Sequence, residues 1–188
     1  MLPEFLTIKT IYTILHVFGA ILGAGAAFVG DNMFFKTVKD GVIEKTELEF
    51  MQMNSRIVWI GVGVLLVSGI LLFMTDPARY MDSSKFLAKI TIVLVIVLNG
   101  FAFHIIHIPN LKKHIGMKFA ESEVFRNKST FLLASGAVSV TSWIFTVVLG
   151  MLRAVPYTYF EILGVYLFAI LFAVFTSYLL KNKILGFR

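Results

Sequence analysis

The sequence predicts an all-α integral membrane protein, a bundle of five transmembrane helices in a single domain spanning 1–188. Three observations carry that prediction. The chain is 58% hydrophobic and only 15% charged, with a mean hydropathy of +0.86, whereas soluble domains carry about a quarter charged residues. Its charges cluster between five apolar runs, approximately 8–30, 57–75, 86–108, 131–152 and 160–180, each near the ~20 residues that cross a bilayer as a helix. None alternates with the ~10-residue segments of a barrel, and spanning backbone must satisfy its own hydrogen bonds, so the runs are helices.

The first run, "IKTIYTILHVFGAILGAGAAFVG", is too long for a signal-peptide core and lacks a cleavage-like end, so it reads as a retained span. The second, "IVWIGVGVLLVSGILLFMT", follows a charged stretch containing Leu48, Phe50, Met51 and Met53, which predicts a helix that extends or precedes the span near the interface. The third, "FLAKITIVLVIVLNGFAFHIIHI", holds most of the intramembrane polar residues. A second mixed stretch, "NLKKHIGMKFAESEVFRNK", reads as a helical connection to the fourth span, which carries "SVTSW". Glu161 opens the fifth span at an interface. No internal repeat is evident.

Basic residues orient the chain. Loop one–two, loop three–four and the C-terminal tail share one side and hold twelve Lys and Arg residues, against five on the other side. The positive-inside rule places the C-terminus in the cytoplasm and the N-terminus outside. That pattern predicts a multi-pass membrane protein. It also explains the net charge of +6 without nucleic acid, which is not an expected partner. The chain has no cysteine, which excludes disulfides, thiolate metal sites, Fe–S clusters and covalently attached haem.

Ionisable residues inside spans are costly and mark candidate sites. His16 heads the series His16, Gly19, Gly23, Ala26, Gly30, whose steps of three and four place all five on one face of the first helix. Two readings fit this face. Small residues admit a neighbouring helix, as in GxxxG packing, with the histidine bonded to that helix. They equally admit a flat ligand such as a porphyrin, with His16 on the iron. Lys89 lies in the outer half of span three, as does His16 in span one. Lys89, Ile96, Gly100, Phe103 and His107 fall on one face over five turns. If that face meets the His16 strip, the two form a pocket walled by Trp143 and "VSGIL". His104 and His107 lie roughly 15 Å deeper. Their spacing of three suggests a second, weaker metal site, or simply a polar-anchored helix end.

"LHVFGAILGAGAAFVG" resembles the first helix of a superfamily of small bacterial membrane proteins, which includes the HemJ-type protoporphyrinogen oxidases and the CopD-type copper-resistance domains. "RIVWIGVGVLLVSGILLF", "KFLAKITIVLVIVLN" and "SVTSWIFTVVLG" resemble their second, third and fourth helices. The resemblance implies a membrane-embedded b-type haem protein with a redox, sensing or porphyrin-related role. Haem b would then sit between the first and third helices, with His16 on the iron and Lys89 as a second ligand or propionate partner. Lys85 is the fallback one turn away, and Gly19, Gly23 and Trp143 would line the cofactor. A HemJ-like oxidoreductase activity, a quinone or other redox partner and a homodimer are further implications. Two features depart from the family pattern. Gly23 and Gly25 stand where a tryptophan is common, and Asn99 and Gly100 stand where a histidine follows the lysine. The alternative expectation is a protein without haem, either a helix-packing assembly protein or a small-solute or metal transporter. The transporter finds no direct support in a sequence with no repeat, no Gly/Pro-broken helix and no carboxylate within the assigned spans.

Overall fold

A computed structural model describes residues 7–40, 42, 44–117 and 123–182. The described residues form helices α1 (Ile8–Asp40), α2 (Lys45–Thr75), the short α3 (Pro77–Met81), α4 (Ser84–Ala102), a π-helical segment (Phe103–His107), α5 (Ile108–Lys113), α6 (Glu123–Met151) and α7 (Tyr159–Leu179). Five helical stretches among them are long and apolar enough to cross a membrane: Ile8–Phe34, Lys45–Thr75, Ser84–Lys113, Thr130–Met151 and Tyr159–Leu179. The protein is therefore built as a multi-pass, all-helical membrane protein.

The first two helices outrun the assigned spans because nothing stops them at the membrane edge. The charged stretch before span two is continuous helix from Lys45 onward. Its start is fixed where the Glu44 backbone N–H donates to Glu47 Oε2 at 3.1 Å, a reciprocal cap of the kind that satisfies orphan donors. The first span continues past Gly30 through Asp31 to Phe34. That overturns the expectation of no carboxylate within a span. The later helices begin at hydroxyl caps. Ser83 Oγ accepts from Phe86 N–H at 3.3 Å, and Thr158 Oγ1 accepts from Glu161 N–H at 3.4 Å. The expected helical connection after span three ends earlier than predicted. Helix stops at Lys113, and Gly116 turns the chain at φ +81°, a left-handed conformation that glycine adopts without steric cost. The part of that connection over 118–122 lies outside the described residues.

α1 and α2 form the most extensive pair, antiparallel along most of their length. Glycine sets their distance. A methyl at Gly19 would come 2.7 Å from the Leu65 backbone nitrogen, and one at Gly61 would strike the backbone of Gly23. α6 packs against α7 and α4; a Ser142–Tyr166 hydroxyl pair at 2.8 Å joins α6 to α7, and a Thr91–Tyr159 pair at 3.0 Å joins α4 to α7. The principal link between the two groups joins α1 to α6, where the Trp143 ring lies on Gly23. Outward faces remain apolar: Phe160 is 82% and Phe168 71% exposed, as a lipid-facing surface requires.

Candidate functional site: a polar cavity between four helices

His16 points at α2. Its Nδ1 lies 3.1 Å from the Leu65 carbonyl and 3.2 Å from Ser68 Oγ. Gly69 opposite leaves room for the ring: a Cβ there would sit 3.3 Å from His16 Cε1. The glycines below it, Gly19 and Gly23, are covered by the Gly61–Leu65 backbone and by Trp143. The strip on the first helix is thus a helix-packing face, and its histidine is bonded across that contact. A macrocycle laid on it would have to displace α2, so the residues around His16 do not fit a haem in the expected slot.

Lys89 lies on α4, whereas His16 bonds to α2. Its ammonium lies toward the end of α6, 3.9 Å from where a Cβ on Gly150 would be. Lys85 turns elsewhere and donates to the Leu152 and Arg153 carbonyls at 2.5 and 3.4 Å. The second, weaker site is not assembled. His104 is exposed, while His107 is 3% exposed and stacks between Phe103 and Phe131, with ring centroids 5.7 and 5.2 Å away. The wide π turn between them breaks the uniform helical spacing that put them on one face. Among the described residues no three His, Cys, Asp or Glu side chains gather as a metal site.

What the helices do enclose is a cavity of about 110 Å³ walled by α1, α2, α4 with its π segment, and α6. That volume holds several water molecules and is well below the roughly 300–1,000 Å³ of a cofactor-sized pocket. Along α6 the lining runs from Leu132 to Trp143, about 16 Å of helix rise. Trp143, 2% exposed, forms the deep end. Asp31, Asn54, Ser55, Asn99, Ser135 and Ser139 bring polar groups to the wall.

These groups are not equivalent. Asn99 and Ser135 close on each other: Asn99 Nδ2 donates to the Ser135 carbonyl at 3.1 Å and Ser135 Oγ donates to Asn99 Oδ1 at 2.8 Å. Asn54 donates its amide to the Ala26 carbonyl at 2.7 Å, which leaves its own carbonyl oxygen as an acceptor. Asp31 faces Gly136, with Oδ1 3.8 Å from where a Cβ would be, an ordinary van der Waals contact. Its other oxygen is buried with no hydrogen-bond partner. A buried carboxylate oxygen so placed is costly unless a ligand, water or proton meets it. Asp31 lies fifteen residues along α1 from His16, roughly 22 Å of rise, so the cavity and the histidine are separate places.

Sequence reasoning missed Asp31 because the apolar run was closed at Gly30. The signal was present: "GDNMFF" returns to apolar residues directly after the acid.

The packing role assigned to His16 has a measurable outcome. Protein purified in detergent from haem-replete cells is expected to show no Soret band, and His16→Ala should lower stability by about 1 kcal/mol through the lost interhelical bond. A Soret band that disappears in His16→Ala would instead make the ring an iron ligand. Compared with known protein families, with characterised proteins and with solved structures, this chain matches none.

Proposed function

We propose that this protein is a small multi-pass carrier that binds a small polar solute in the cavity between α1, α2, α4 and α6. The observation that carries the reading is the buried, unpartnered oxygen of Asp31 on the wall of that cavity. Intramembrane carboxylates are expensive to keep and mark solute and ion pathways. The change from α to π at Phe103–His107 supports the same reading. It breaks the regularity of a spanning helix beside the cavity, where Phe103 is part of the wall. Local π turns recur at functional sites, and interrupted helices recur at transporter binding sites. The positive-inside rule, applied to the basic residues, supports a cytoplasmic position for the Leu132 end of the cavity.

A carrier must present its site to both faces of the membrane in turn. The absence of native cysteine makes that directly testable. Ser139→Cys places a single thiol on the cavity wall. A membrane-impermeant maleimide should label it in both right-side-out and inside-out vesicles. Labelling from one face only, or from neither, would sink the carrier reading and leave a closed structural cavity.

A further inference from the structure

We infer that the solute held in this cavity is a small monovalent cation, an alkali ion or a small alkylammonium, with the Asp31 carboxylate as its counter-charge. The inference rests on reading the cavity as a ligand site and goes on to name the class of ligand.

Charge, donor type and size each narrow the choice. Asp31 is the only ionisable side chain on the wall among the described residues, so the site offers a single negative charge. One carboxylate balances one positive charge, and a divalent ion would leave net charge buried at a cost of several kcal/mol. The other available groups are oxygens: the Asn54 carbonyl, left over after its amide bonds Ala26, and the Ser55 and Ser139 hydroxyls. Oxygen ligands without imidazole or thiolate suit hard cations, not transition metals. An anion would meet the carboxylate with no cationic side chain among the described residues of the wall to offset it. A neutral solute would be accommodated only with the Asp31 carboxyl protonated. The volume accommodates an ion with part of its water shell or a few-atom ammonium. Trp59, Trp143, Phe34 and Phe103 bring aromatic side chains to the same wall, and an aromatic face attracts a cation that lies over it.

The protein carries its own reporter, because its two tryptophans, Trp59 and Trp143, both line the cavity. Tryptophan emission of the purified full chain would be titrated with sodium, potassium and methylammonium chloride. Ionic strength would be held constant with N-methyl-D-glucamine chloride. At least one of the three cations should give a saturable change. Asp31→Asn should abolish it. Glu49→Gln, at an exposed side chain paired with Lys45, should retain it with an unchanged midpoint. Saturation by sodium or potassium alone would identify an alkali-ion site, and by methylammonium alone an ammonium site; either supports the inference. No saturable change with any of the three would overturn it, as would an equal response in Asp31→Asn. A change that follows pH with no cation dependence would also overturn it and make Asp31 a proton site. If Asp31→Asn does not yield monodisperse protein, Asp31→Glu replaces it. Keeping the charge but moving it should shift the midpoint at least about threefold, and an unshifted midpoint would overturn the assignment. Labelling of Ser139→Cys from both faces without any cation response would refute the ligand and leave the carrier standing. A saturable cation response with labelling from one face would do the reverse.

Discussion

Gly61→Ala should lower the unfolding midpoint of the detergent-solubilised protein by roughly 2–12 °C, while Gly63→Ala, two residues on, should leave it unchanged or raise it. The chemistry of the two substitutions is identical, and the surroundings decide the sign. A methyl on Gly61 meets the backbone nitrogen and Cα of Gly23 and, at 3.0 Å, the Gly19 carbonyl oxygen. Backbone atoms of a helix cannot rotate away, so α1 and α2 must separate along their length. Overpacking of this kind costs about 1–3 kcal/mol, and each kcal/mol moves the midpoint of a chain this long by roughly 2–4 °C. Gly63 has nothing within 4 Å of its would-be Cβ, so the substitution there gains only the better helix propensity of alanine. Differential scanning fluorimetry on both variants checks the contrast. Equal midpoints would mean that α1 and α2 do not pack through these glycines.

Gly23→Ala should be destabilising by about 1–3 kcal/mol, again from overpacking, but this loss should be recoverable. The nearest atoms to a Cβ on Gly23 all belong to the six-membered ring of Trp143, a side chain that substitution can shorten. Trp143→Leu alone should also destabilise, by about 2–4 kcal/mol, through lost aromatic burial and an enlarged cavity. In the double variant Gly23→Ala/Trp143→Leu the methyl occupies space the ring has vacated. The two losses should then fall short of additivity by about 1 kcal/mol or more. Chemical denaturation of the four proteins measures the coupling, and additive losses would place Trp143 away from α1. No partner substitution should rescue Gly61→Ala in this way, because its obstruction is main chain.

The architecture was legible in the sequence because hydropathy and length alone decide it. All five spans cover the apolar runs; most ends shift by five residues or fewer, but the second begins at Lys45 rather than 57 because the charged stretch before it is continuous helix. The His16 strip was legible as a face, but its occupant was not. Glycine at steps of three and four says that something comes close, and a helix and a flat ligand satisfy the same spacing. The Leu65 carbonyl and the backbone around Gly61 decide between them, and both belong to another helix. The inward face of span three was legible: Ile96, Gly100 and Phe103 line the cavity and His107 is buried. The π turn at Phe103–His107, which departs from 3.6 residues per turn, was not. Asp31 went unassigned because a charge next to an apolar run reads as the end of that run. Only the neighbouring helices make it an interior residue.

The way the helices share their contacts has a mechanical consequence. α1 and α2 are locked together by backbone-to-backbone approach, and α4, α6 and α7 are tied by hydroxyl pairs. In the carrier reading, the motion this division favours is a rocking of two bodies about a seam. The cavity lies on that seam, with Asp31 and Asn54 on one body and Asn99, Ser135 and Ser139 on the other. The Gly23–Trp143 contact sits at its deep end, like the pivot of a pair of tongs. Small rotations there become large changes of width at the Leu132 end.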